Sequence, residues 1–250
     1  MASMTGLVVE IGEKAFPGAS GGANPPLYKD FRLEIADRAF VALLGPSGLG
    51  KTTLLNMIAG VDKAFTGRLD FTNGRRPRIS YVFQSPRLLP WRTVLQNVAL
   101  PLPQGADSLK RARAAIADVG LAGSEDVYPE RLSLGMQRRV ALARGFAVEP
   151  ELLLMDEPFV SLDEANTAKL HDLLNDLIAA RPTTTLFVTH DSREAVRLAD
   201  RIVVLEGPPA RIARDITVPL TREARRIPGE IERVRDLVVG RLQSVAAVNG

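Results

Sequence analysis

A glycine-rich loop is the first segment of the sequence that could do chemistry. It reads Gly45-Pro46-Ser47-Gly48-Leu49-Gly50-Lys51-Thr52, with Thr53 following, and has the spacing Gly-x4-Gly-Lys-Thr. Glycines let the backbone wrap closely around a phosphate, the lysine adds a positive charge, and the threonine hydroxyl is a ligand for Mg²⁺. An apolar run precedes the loop and a helical pattern follows it, so the segment predicts a site for a nucleoside triphosphate and Mg²⁺.

Two adjacent carboxylates follow another apolar run. Asp156 and Glu157 come directly after Leu152-Leu-Leu-Met155. A carboxylate at a strand end suits Mg²⁺, and a second one beyond it is placed to activate an attacking water. Such a pair is common after strands, so its significance depends on the phosphate loop.

The elements that must position these residues alternate between strand and helix. Apolar runs at 40–44, 79–83, 152–155 and 185–189 each end in a polar loop, and helical patterns lie between them. Near-continuous apolar runs are typical of parallel strands buried on both faces. Because ligands of such sheets bind beyond the carboxyl ends of the strands, we expect the polar loops to converge.

The order of these patterns predicts a single domain over 1–250 with an insertion. Residues 1–85 and 148–215 form the expected nucleotide-binding core, 86–147 an inserted helical subdomain, and 216–250 a tail. In the tail, apolar residues recur at helical spacing between 228 and 245, which predicts an amphipathic helix. The polar face of that helix is expected in solvent first and on anionic lipid second.

Composition excludes several classes of protein. The chain has 250 residues, is 46% hydrophobic and 24% charged, carries a formal charge of +3 and contains no cysteine. This is the composition of a globular protein with a full core, and it excludes disulfide scaffolds and thiol catalysis. No polybasic block is present, so no nucleic-acid partner is expected. The apolar runs are far shorter than the roughly 20 residues that span a bilayer, so membrane contact is expected to be peripheral.

The segment Leu132-Ser-Leu-Gly-Met-Gln-Arg-Arg-Val-Ala-Leu-Ala-Arg144 resembles the signature of the ATP-binding cassette (ABC) ATPases. Phe83-Gln84 is similar to their Q-loop, 161–163 to the D-loop and 189–191 to the H-loop. The resemblance implies an α/β phosphate-loop NTPase (RecA-like) core with a mostly parallel sheet, an N-terminal antiparallel β part and an inserted helical subdomain. It also implies that ATP is the nucleotide and that two copies sandwich it.

The resemblance assigns roles residue by residue. Lys51 and the loop hold phosphates, Glu157 activates water, and His190 orients it. Three residues serve Mg²⁺, namely Thr52, Gln84 and Asp156. The remaining assignments are Ser133 and Gly135 acting across the interface, Asp163 linking the two sites, and Phe16 stacking on adenine.

The signature also has a physical interpretation of its own. Ser133 is a good N-cap, so the helix that contains Met136 is expected to start there and to offer free N–H groups to a phosphate. Leu134 stands where the family usually has glycine, and a positive φ at that position would strain it. We therefore expect a working site that is impaired if the strain is real. Of the two histidines, His171 is expected on a helix surface.

Three functions compete for such a chain: an ABC importer subunit, a soluble ABC ATPase of DNA repair or translation, and a small-molecule kinase. The signature and H-loop argue against a kinase. The segment 84–98 is similar to cassettes of the nitrate, sulfonate and taurine importers, whose helical subdomain receives a permease helix. Trp91 within it is expected either to dock that helix or to lie in the core. The resemblance thus implies permease subunits, a solute-binding protein and a position on the cytoplasmic side of the inner membrane, while the solute stays open.

Overall fold

The computed structural model describes residues 5–17, 24–71 and 74–246, and the side chains of residues 5 and 239–246 lie outside that description. The chain divides into two compact units. The first comprises residues up to Arg75 and from Thr184 onward, and the second comprises Arg76–Thr183. Within the described part of the chain, no helix combines the length and apolarity that crossing a membrane requires.

The first unit holds two groups of strands. Strands β1 (Thr5–Lys14), β2 (Tyr28–Ala36) and β4 (Thr66–Phe71) form an antiparallel sheet in the order β2-β1-β4. Strands β3 (Phe40–Leu44), β7 (Thr184–Thr189) and β8 (Arg201–Glu206) are parallel, with β3 in the middle, and β9 (Arg211–Thr217) pairs antiparallel with β8. The helices of this unit are α1 (Lys51–Ala59), α6 (Ser192–Leu198) and α7 (Pro228–Ala246).

The burial of the side chains differs between the parallel and the antiparallel strands of this unit. Every residue of β3 and β7 is buried, as parallel strands covered on both faces require. In β2, by contrast, buried and exposed side chains largely alternate, which is the pattern of a sheet with one solvated face.

The second unit is mostly helical. It contains β5 (Ile79–Val82) paired in parallel with β6 (Leu152–Asp156). Its helices are α2 (Val94–Ala99), α3 (Ala106–Asp118), α4 (Leu134–Ala147) and α5 (Glu164–Ala180), with a 3₁₀ turn at Pro129–Arg131.

The predicted fold class is confirmed: the molecule is α/β, with parallel strands in the core, an antiparallel N-terminal part and a helical region ahead of β6. The expectation for His171 is wrong. This residue is 4% exposed in α5, and its ring meets Phe159 edge-on with 4.4 Å between centroids. It lies on the apolar face of α5 with Leu170 and Leu174, so packing outweighs its polarity.

Candidate functional site

The phosphate loop joins β3 to α1 in the first unit. Lys51 is buried, and its Nζ donates hydrogen bonds to the carbonyl oxygens of Gly45 at 2.7 Å and Pro46 at 2.8 Å. Pro46, Ser47 and Gly48 are exposed, whereas the Leu49 side chain is buried. The lysine charge is therefore held inside the curve of the loop, where an anion would be bound, and Leu49 offers only its backbone.

Gly50 is the N-cap of α1 and has a φ of 87°, in the left-handed region that favours glycine. A Cβ here would lie 2.7 Å from Leu27 Cδ2 and 2.9 Å from Tyr28 Cε2. The Tyr28 hydroxyl donates to the Gly50 carbonyl at 3.0 Å, and burial raises the pKa of this phenol so that it stays a donor. Tyr28 thus fixes the end of the loop, a role that the sequence motifs did not indicate.

Three more predicted residues lie in this unit. Thr52, in the first turn of α1, is exposed, and Thr53 is half-buried. His190 is exposed and directly follows β7, as expected. Asp191 then caps α6 by accepting from the Arg193 N–H at 2.7 Å. The local structure therefore presents the His190 side chain at a strand end, in front of a capped helix.

Phe16 follows β1 and is 47% exposed. The Lys14 ammonium lies 4.5 Å from the centroid of its ring. The glycine-rich stretch after Phe16 includes residues 18–23, which lie outside the described residues. The ring has free surface on which a base could stack.

The carboxylate pair lies in the second unit, at the end of β6. Asp156 is 7% exposed, and the Tyr81 hydroxyl donates to its Oδ2 at 3.5 Å. Burial, followed by the Asp156 charge, raises the pKa of Tyr81 and keeps it protonated. Glu157 has a φ of 42°, a left-handed conformation uncommon for a side-chain-bearing residue. Such outliers cluster at functional sites, and this one directly follows the last residue of β6.

Two arginines of α4, the buried Arg138 and the half-buried Arg144, hold the segment around Gln84, whose side chain is exposed. Arg138 donates to the Gln84 carbonyl and, at 2.9 Å, to the Val160 carbonyl. Arg144 donates to the carbonyls of Pro86 at 2.7 Å and Arg87 at 2.9 Å. The arginine-rich helix seen in the sequence is thus a scaffold for the residues after β5, which sequence reasoning did not anticipate.

The signature starts α4 as predicted. Ser133 is the N-cap, and its Oγ accepts from the Met136 N–H at 3.3 Å. Leu134 is the first helical residue and is absent from the positive-φ residues, so the proposed strain does not exist. An open cavity of about 320 Å³ borders this helix start, with Ser133, Gly135, Met136, Arg139 and Asn166 in its lining.

Asp163 caps α5 in the same unit. Its Oδ1 accepts from the Asn166 N–H at 2.9 Å, and its Oδ2 accepts from the Asn166 amide at 2.5 Å. These bonds, the backbone one above all, lower the pKa of the exposed Asp163 carboxyl. The Asp163 carboxylate is therefore ionised and held in a fixed position at the start of α5.

Trp91 is 71% exposed, which excludes the core position, one of the two alternatives for this residue. Asn97, which is fully buried, holds the loop that presents it. The Asn97 side chain accepts from the Leu89 N–H at 2.8 Å and donates to the carbonyls of Leu89, Arg92 and Thr93 at 2.9–3.1 Å. The indole is thus exposed on a fixed loop, and aromatic side chains are enriched in protein–protein interfaces.

Comparison with known proteins identifies the family. The model of the ABC transporter family matches residues 28–160. A Nocardia farcinica protein named "Aliphatic sulfonates import ATP-binding protein SsuB 2" is 49% identical over 222 residues, 89% of this chain and 90% of that protein. A Pseudomonas aeruginosa protein of the same kind is 42% identical over 221 residues, covering 84% of this chain and 88% of its own.

A solved structure agrees with the fold. The dimeric post-hydrolysis state of the ATP-binding cassette MJ0796 bound to ADP and Pi superimposes with a TM-score of 0.74 at 31% identity, covering 86% of this chain and 100% of that one. With the phosphate loop and the capped signature helix in place, the chain belongs to the ABC transporter family as an ATP-binding cassette.

Proposed function

We propose that this chain is the ATP-hydrolysing subunit of an importer, working as a pair of copies on a separate membrane permease supplied by a solute-binding protein. The observation that carries the proposal is the phosphate loop, with Lys51 held inside it and Tyr28 fixing its end. Identity of 42–49% to import ATP-binding subunits over most of the chain supports the importer over a soluble ABC ATPase. We place it peripherally on the cytoplasmic side of the inner membrane.

In this proposal the residues keep their expected roles. Residues 45–53 bind the phosphates, with Lys51 as the point charge, and Phe16 stacks on the adenine. Glu157 activates water, and His190 orients it. The start of α4, at Ser133 and Gly135, contacts the nucleotide of the partner copy, and Asp163 links the two sites.

Mg²⁺ fits the donors available. Thr52, Gln84 and Asp156 would hold it through one hydroxyl, one amide and one carboxylate oxygen, as suits a hard cation shared with substrate phosphates. Among the described residues, no cluster of three His, Cys, Asp or Glu side chains forms a protein-only metal cage. The ion would neutralise charge on the phosphates during transfer.

Trp91 is the proposed anchor for the permease. Because Asn97 holds its loop and the indole is 71% exposed, a partner can cover the ring without refolding the loop. Tryptophan is among the residues that contribute most of the binding energy at protein–protein interfaces. We propose an organic sulfonate as the solute class, by analogy with the named relatives.

The experiment is a pull-down of tagged Glu157→Gln protein from detergent-solubilised membranes of the host with ATP present. A multi-spanning permease is expected, and Trp91→Ala is expected to lose it while still binding ATP. Arg92→Ala, at the exposed neighbour of Trp91, serves as the matched control. Recovery of ribosomal or DNA-repair partners alone would overturn the importer function. The solute class is tested separately, in a host that lacks the gene for this chain. If that host still grows on an alkanesulfonate as its sole sulfur source, only the solute class is overturned.

A further inference from the structure

Lys14, the last residue of β1, is an unusual buried charge in the first unit. It is 3% exposed and lies two residues before Phe16. Its Nζ forms an ion pair with Asp62 Oδ2 at 2.7 Å and donates to the Ala64 carbonyl at 2.9 Å. A buried ammonium is costly unless it is paired, so both contacts are needed to keep it there.

The same ammonium covers one side of the Phe16 ring, with 4.5 Å from Nζ to the centroid. Phe16 itself is 47% exposed. The surface that remains open therefore lies away from the buried lysine. Asp62 is fixed in turn, because its Oδ1 accepts from the Ala64 N–H at 2.9 Å, and the hydrogen bond from Lys14 lowers the pKa of its carboxyl.

We infer that Lys14 is a positioning residue for the nucleotide base. It holds the Phe16 ring from behind and ties it to the Asp62–Ala64 turn that follows α1, the helix of the phosphate loop. The inference rests on the proposed contact between Phe16 and adenine. It extends that contact, because a cation–π pair fixes the ring before the base arrives and reduces the entropy lost on binding.

The test compares ATP with a ligand that lacks a base. Binding of ATP and of inorganic tripolyphosphate is measured by calorimetry in EDTA, so that no hydrolysis occurs. Lys14→Gln keeps a donor for the Ala64 carbonyl but removes the charge from the ring. We expect about two- to fivefold weaker ATP binding and unchanged tripolyphosphate binding. Lys14→Arg should retain the affinity for ATP, and the exposed Lys63→Gln is the matched control.

A double-mutant cycle separates the two claims. Phe16→Ala is expected to weaken ATP binding about tenfold, and Lys14→Gln should add nothing in that background. Suppose that Phe16→Ala weakens ATP binding. If Lys14→Gln then leaves ATP binding unchanged, or weakens the binding of ATP and of tripolyphosphate equally, the positioning role of Lys14 is overturned and the Phe16 contact stands. If Phe16→Ala has no effect, the adenine contact itself is overturned. If the Lys14→Gln variant does not fold, the double variant Lys14→Gln/Asp62→Asn replaces it. The double variant leaves no unpaired carboxylate at position 62.

Discussion

Individual glycines of the phosphate loop are required for different physical reasons. Gly48 and Gly50 both have positive φ values, 82° and 87°. A Cβ at Gly48 would meet no atom within 4 Å, whereas one at Gly50 would clash with Leu27 and Tyr28. An alanine at Gly48 would therefore introduce backbone strain alone, whereas an alanine at Gly50 would introduce both backbone strain and steric overlap.

We expect Gly48→Ala to lower the free energy of unfolding by about 1–2 kcal/mol, the cost of a left-handed alanine. Gly50→Ala should lower it by about 1–3 kcal/mol more, because the added methyl also displaces packed side chains. Urea unfolding of both variants measures the difference. Equal losses would show that Leu27 and Tyr28 yield without cost.

Leu134 is a second test at this scale. Because it is the first residue of α4 with a helical backbone, replacing it by glycine relieves no strain. Leu134→Gly should lower the free energy of unfolding by about 0.5 kcal/mol through reduced helix propensity. A more stable variant in the same urea unfolding assay would indicate that the leucine is strained after all. Gly135, whose Cβ would lie 3.8 Å from Asn166, can take alanine without a clash and provides the comparison.

At the scale of elements, the C-terminal helix α7 is part of the first unit and has one buried face. Ile231, Val234 and Val238 are buried, whereas Leu237 is 52% exposed. Arg225, just before α7, is buried and donates to Asp200 Oδ1 at 2.8 Å and to the last carbonyl of α6, that of Leu198, at 3.1 Å. The expected amphipathic helix is thus present, and its apolar face packs on protein.

Val234→Asp is expected to lower the free energy of unfolding by about 3 kcal/mol, since it buries an unpaired carboxylate in place of a packed side chain. Leu237→Asp, one helical turn away on the exposed side, should change it by no more than about 0.5 kcal/mol. Thermal and urea unfolding distinguish the two. A small effect at Val234 would mean that α7 is detached in solution and available to lipid.

At the scale of the whole molecule, the proposed function needs two copies of the chain, and the solved cassette to which it is similar is dimeric. The Ser133 and Asp163 side chains are exposed in the single chain, so a second copy could reach them in the proposed pair. Helix starts of this kind attract phosphate.

We expect Glu157→Gln to form a dimer with ATP and Mg²⁺, because bound nucleotide is no longer consumed and continues to bridge the copies. Light scattering after size exclusion measures the mass. Lys51→Ala should stay monomeric because it lacks the charge that holds the phosphates. A Glu157→Gln protein that remains monomeric at saturating ATP would contradict the sandwich mechanism.

The amino-acid sequence by itself predicted the core strands and the loop and helix that follow the first of them. Residue type and spacing identified the phosphate loop, the strand before it and the Ser133 cap, because these depend on backbone conformation and local hydrogen bonds. The tertiary structure decided what depends on contacts between distant residues. It buried His171, exposed Trp91, and put Lys14 behind Phe16 through a turn 48 residues later, at Asp62. Burial and long-range pairing depend on which surfaces meet, and no local pattern in the sequence records that.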